Sequence, residues 1–159
     1  MFKIGDKVVY PMHGAGIIES IEEKEILGEK QQYYVLRLPI GSMRVMVPTA
    51  SGENIGLRQV IDRKEVQKVF GVLKDHSSSP MPGNWNRRYR ANLEKIKSGN
   101  IYKVAEVVRN LARREREKGL SSGEKRMLES ARQILISELV LAAEIEEDKA
   151  RTMLDEMLA

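Results

Sequence analysis

Residues 32–48 read Gln32-Tyr33-Tyr34-Val35-Leu36-Arg37-Leu38-Pro39-Ile40-Gly41-Ser42-Met43-Arg44-Val45-Met46-Val47-Pro48. Two runs rich in aromatic and β-branched residues flank a Pro/Gly turn, the pattern of paired strands. In the second run Met43, Val45 and Val47 fall on one face, with Arg44 and Met46 on the other. Toward the N-terminus the pattern repeats. Lys7–Tyr10 leads into the turn Pro11-Met12-His13-Gly14, Gly16–Ile21 resumes a β-like run, and Leu27-Gly28-Glu29-Lys30 turns again. Short strands with Gly/Pro turns predict a small antiparallel barrel or curled sheet, whose open edges need covering, pairing or charging. No helix is expected before about residue 52.

Beyond residue 60 the apolar period changes to that of helices. Asp62 is placed to cap a helix over Lys64–Lys74 with the stripe Val66, Val69, Phe70 and Leu73. The stretch His76-Ser77-Ser78-Ser79-Pro80-Met81-Pro82-Gly83 must be a loop. Asn84 caps a second helix with the stripe Trp85, Tyr89, Leu93 and Ile96, closed by Ser98-Gly99. Asn100 opens a third, with Ile101, Val104, Val108 and Leu111 inward. Ser121-Ser122-Gly123-Glu124 has capping-box spacing and opens a fourth, carrying Leu128, Ala131, Leu135 and Leu139. A short helix over Ile145–Leu158 ends the chain. No internal repeat or sustained heptad is present. The expected fold class is α+β in two domains: a β module over residues 1–60 and an all-helical module over 61–159.

The 159 residues are 42% hydrophobic, enough for a sizeable core. Lys and Arg number 27 against 23 Asp and Glu, a net +4, but the excess is local. Residues 84–132 hold 14 basic and 6 acidic side chains, whereas residues 133–159 hold 2 and 7. Such a basic block attracts phosphate polyanions; the alternative is charge that merely solvates helix faces. The absence of cysteine excludes disulfides, thiolate metal sites and a Cys nucleophile, and fits a reducing compartment. The start Met1-Phe2-Lys3-Ile4-Gly5-Asp6 lacks a leader's apolar run, and no stretch suits a membrane span. A soluble cytoplasmic protein is expected.

Catalytic chemistry finds no footing. The two histidines, His13 and His76, sit in turns, and no nucleophile elbow or Walker loop occurs. Gly14-Ala15-Gly16 lacks the rest of a dinucleotide loop. The reading is of a non-enzyme with no cofactor, no metal and no small-molecule substrate.

One constellation stands apart. Trp85-Asn86-Arg87-Arg88-Tyr89-Arg90 sets the single tryptophan among arginines at a helix start, where free N–H groups and the helix dipole favour phosphate. A large apolar side chain there can wedge at a base step from the minor groove. On residues alone, the simpler reading is that Trp85 leads its stripe into the core. Arg109, Arg113, Arg114, Arg116, Lys118, Lys125 and Arg126 crowd the next helix–helix turn and could extend a phosphate track.

Taken together, Phe2-Lys3-Ile4-Gly5-Asp6-Lys7-Val8-Val9-Tyr10-Pro11, His13-Gly14, Asn84 through Lys95, Lys103 through Arg109 and Leu120 through Leu128 resemble the CarD/CdnL family of bacterial transcription regulators over nearly the full length. The resemblance implies a Tudor-like β domain that binds the RNA polymerase β subunit, partly along a strand edge, and a helical domain on promoter DNA. It implies that Trp85 wedges into the minor groove at the upstream edge of the bubble and prolongs the open complex, with nucleoid association through polymerase. The expected DNA contacts are Trp85, Arg87, Arg88, Arg90, Lys125 and Arg126. On the β module, strand Met43–Val47 is the candidate edge, with Arg44, Met46, Lys24 and Arg37 as candidate polymerase contacts. A monomer is expected, with a strand-swapped dimer as the alternative state. The competing function is an adaptor whose basic helical face docks an acidic protein without touching DNA.

Overall fold

The structure is a computed structural model that describes residues 2–49, 56–76 and 82–159. Five strands, β1 (Lys7–Tyr10), β2 (Gly14–Ile26), β3 (Glu29–Arg37), β4 (Arg44–Pro48) and β5 (Arg58–Gln59), form one antiparallel sheet in the order β4-β3-β2-β1-β5. Leu27 (φ +54°) and Gly28 (φ +80°) close the β2–β3 hairpin in two residues, the turn whose twist matches that of the strands. The β2–β3 register shifts between Ile18 and Ser20, leaving Glu19 as the bulged residue.

Alternation along β1 feeds two cores. Val8 joins Ile18, Tyr34, Leu36, Val47 and Leu57 beneath the sheet, whereas Val9 and Ala15 turn to the other face and meet Leu141. The helices are α1 (Arg63–Lys74), α2 (Trp85–Lys97), α3 (Ile101–Glu117), α4 (Ser122–Ala143) and α5 (Glu147–Leu158). Side chains of Asp62, Asn84, Asn100 and Ser121 accept from first-turn N–H groups of the first four, satisfying donors that a helix start otherwise leaves orphaned. The expected stripes of α1, α3 and α4 are buried. Helix α4 is the axis of the molecule, touching every other helix and β2.

Thr49 is already helical, slightly ahead of the expected limit. Of the loop expected over 76–83, residues 77–81 lie outside the described residues. The buried face of α2 is Arg88, Asn92 and Ile96, with Tyr89 and Leu93 half-buried, and Trp85 is exposed.

The sheet and the helices share a polar joint. The Glu138 carboxylate, 1% exposed, accepts two bonds from Arg58 (2.8 Å each) and one from the Ile61 N–H at 3.0 Å. Arg58 Nε also donates to the Gly99 carbonyl at 2.8 Å, so one guanidinium ties β5 to α4 and to the α2–α3 turn. Nearby, Ala15 N–H donates to Ser137 Oγ at 2.8 Å, and Lys7 Nζ donates to the Leu141 carbonyl at 3.1 Å. Gly14 lets the strand come this close: at φ +110°, a Cβ there would lie 2.7 Å from Ser137 Oγ.

Candidate nucleic-acid and partner interface

At the start of α2 an arginine is buried. Arg88, 3% exposed, donates from Nε to Glu124 Oε2 at 2.7 Å and from Nη2 to Glu124 Oε1 at 3.0 Å. Its Nη1 donates to the Pro82 and Gly83 carbonyls at 3.3 Å each. Glu124, 1% exposed, also closes the capping box of α4 with Ser121. The bidentate pair holds the Glu124 carboxyl below its ordinary range, chiefly through the Arg88 hydrogen bond, and raises Arg88 in turn. One carboxylate therefore fastens the first turn of α2 to the first turn of α4.

This fastening overturns the expected role of Arg88. Its guanidinium is spent inside the protein and offers nothing to a phosphate. Arg109 leaves the phosphate track for the same reason: it is 3% exposed and donates to the Val72 carbonyl at 2.9 Å. At the helix start the expected Asn84 cap is present: its Oδ1 accepts from Asn86 N–H and Arg87 N–H, taking up two of the free donors.

What the fastening carries is exposed. Trp85, the first residue of α2, is 53% exposed. Arg87 and Arg90 on α2, and Lys125 and Arg126 in the first turn of α4, are exposed as well. The two fastened helix starts thus carry an exposed indole and four exposed cationic side chains. Trp85 lies within the angular sector of Tyr89 and Ile96 yet is exposed, ahead of Arg88 and Tyr89, which the start of α4 meets at Glu124 and Gly123.

On the β module, β4 pairs only with β3 among the described residues. Leu38 N–H donates to the Met43 carbonyl, which makes the opposite pairs Leu36/Val45 and Tyr34/Val47 the hydrogen-bonded ones. The N–H and C=O groups of Arg44 and Met46 therefore point away from the sheet, into an open edge. Met43 (59% exposed) and Met46 (37%) supply apolar surface beside it. Arg44 stands on the exposed face, held by the bulged Glu19 at 2.8 and 3.3 Å. Lys24 and Arg37 are exposed, on β2 and β3, and neither shares the Glu19 carboxylate that holds Arg44. Sequence reasoning missed Glu19, Arg58 and Glu138. Among the described residues no group of three or more His, Cys, Asp or Glu gathers as metal ligands.

Comparison with known proteins fits both halves. The model for the CarD-like/TRCF RID domain matches residues 2–61, and that for the CarD C-terminal domain matches residues 68–155. The protein YdeB of Bacillus subtilis (strain 168) is 47% identical over 152 residues, covering 96% of this chain and 99% of that protein. The chain belongs to the CarD-like family. This CarD-like chain is a transcription regulator with an RNA polymerase-interacting N-terminal domain. Among solved structures, CdnLNt from Myxococcus xanthus is 44% identical, covering 38% of this chain and 86% of that one at a TM-score of 0.34. The N-terminal domain of Myxococcus xanthus CarD is 34% identical, covering 37% and 79% at a TM-score of 0.33.

Proposed function

We propose that this CarD-like regulator binds the polymerase β subunit along the β4 edge and holds promoter DNA open with Trp85. The observation that carries the reading is the exposed indole on a helix start that the buried Arg88–Glu124 pair keeps rigid. Tryptophan is usually well buried, and here it stands exposed on a helix start that also carries exposed cations. Arg87, Arg90, Lys125 and Arg126 supply phosphate affinity without base readout, and position comes from the polymerase contact. Contacts made only with opened DNA shift the closed/open equilibrium by their own free energy. About 1.4 kcal/mol of such contact gives a tenfold shift.

At the other end, strand addition to β4 would satisfy the outward N–H and C=O groups of Arg44 and Met46. The open-complex lifetime on a promoter with a short-lived bubble tests the reading. The wild-type chain lengthens it, and Trp85→Ala binds polymerase but does not. A Trp85→Ala chain with full effect would refute the wedge. Polymerase binding with no DNA effect from either chain would favour the adaptor.

A further inference from the structure

Helix α2 is seated on the molecule through a polar seam. Of its three fully buried side chains, Arg88, Asn92 and Ile96, only Ile96 is apolar. The Lys95–Glu106 pair, at 3.1 Å, sets the antiparallel register of α2 on α3. One turn farther from the α2–α3 turn come Asn92 on α2 and Asn110 on α3. Arg114 follows Asn110 in the same i+4 row that begins at Glu106. Asn92 is 2% exposed and Asn110 5%. Among the described residues, Asn92 Nδ2, Asn110 Nδ2 and Arg114 Nε are buried without an acceptor. All three are donors. The neighbouring acceptors are engaged: Asn110 Oδ1 takes Arg109 Nε at 3.2 Å, and the Glu124 oxygens take Arg88 and Ser121.

We propose that Asn92, Asn110 and Arg114 hold a small monovalent anion of the chloride class in the α2–α3 seam. A buried donor without an acceptor is costly, and native proteins leave few. Water is the poorer occupant, because it brings two hydrogens of its own that need acceptors. The balance of charge points the same way. Arg88 and Arg109 are buried here and Arg114 is half-buried, against Glu124 as their buried carboxylate. Asp75, which approaches Arg109 at 3.8 Å, is half exposed. Three donors satisfy a halide, whereas a phosphate would bury oxygens with nothing to bond them. The site lies under the helix that carries Trp85 and is separate from the exposed cations of that helix.

Thermal unfolding of the full chain tests the site, at fixed ionic strength with chloride exchanged for gluconate, which is too bulky for the seam. The melting temperature should rise by about 3–5 °C for each tenfold increase in chloride above its Kd. Asn110→Asp plants a carboxylate among the same donors. It should melt higher than wild type in gluconate and no longer respond to chloride. Arg114→Gln removes the positive charge and should weaken the response. Chloride NMR line width gives a direct reading: broadening by the wild-type chain, lost in Asn110→Asp. A melting temperature indifferent to chloride would overturn the proposal and leave the donors to water. So would a chloride response that both variants retain in full, which would place the ion at the exposed cations instead. If Asn110→Asp folds poorly, Arg114→Gln decides alone: a weakened response supports the site and a wild-type response removes it.

Discussion

Replacing Arg58 with leucine would leave the Glu138 carboxylate buried with the Ile61 N–H as its remaining donor among the described residues. Stripping one partner from a buried ion pair costs about 3–5 kcal/mol. Two features place this site at the lower end. The Arg58 side chain is 30% exposed, so water reaches the gap, and the joint has a means of escape: the sheet can swing off α4 and hydrate Glu138. The loss of the Gly99 bond adds about 1 kcal/mol. A total near 4 kcal/mol, at an m-value of about 2–3 kcal/mol/M, lowers the urea midpoint by roughly 1.3–2 M. Trp85 fluorescence reports the helical side and far-UV circular dichroism the whole chain. The two probes should coincide in wild type and separate in Arg58→Leu, as the modules begin to unfold independently. The paired variant Arg58→Leu/Glu138→Met removes both charges and should recover most of the loss, giving about 2 kcal/mol of coupling in a double-mutant cycle closed by Glu138→Met. An Arg58→Leu midpoint within about 0.3 M of wild type would refute the joint, on the same m-value scale. So would a paired variant as damaged as the two single changes together.

The Arg88–Glu124 pair carries a pH signature. Because the folded Glu124 carboxyl is held below its ordinary 4.5, its stabilisation is complete above that value and fades as pH falls through the lower, folded one. Glu124→Gln should therefore unfold more easily at pH 7 yet show a flatter melting-temperature profile below pH 4.5; parallel profiles would count against the pair. Trp85→Ala should change stability by no more than about 1 kcal/mol in thermal unfolding, since a core tryptophan would cost about 3–5. Gly14→Ala should cost about 1–3 kcal/mol by denaturant titration, from the left-handed backbone and the crowding on Ser137.

Periodicity made most of the fold legible. The Met43–Val47 alternation, the Asp62, Asn84 and Asn100 caps and the Ser121/Glu124 box all have local causes, and each stands in the structure as read. What a helical wheel cannot supply is whether a neighbour covers the sector. Trp85 shares its sector with Ile96, so the sequence puts it in the core, and only the structure shows it exposed. The same blindness misplaced Arg88. Burial of an arginine depends on a carboxylate 36 residues away, and the capping box already gave Glu124 a complete local role. Arg58 and Glu138 stand 80 residues apart with no spacing to link them. The interface is thus half readable: residue types and exposed cations show in the chain, whereas the clamps that aim them arise from long-range pairing.

The joint at Arg58 and Glu138 bears on avidity. Where two binding surfaces are strung on a slack linker, the second contact forms at an effective concentration that falls gently with linker length. A stapled chain has no such average. Its second contact is made from one fixed offset, with little orientational entropy left to lose. The reward is large when the two targets match that offset and vanishes when they do not. Spacing between the targets, rather than their base sequence, would then be what this protein discriminates.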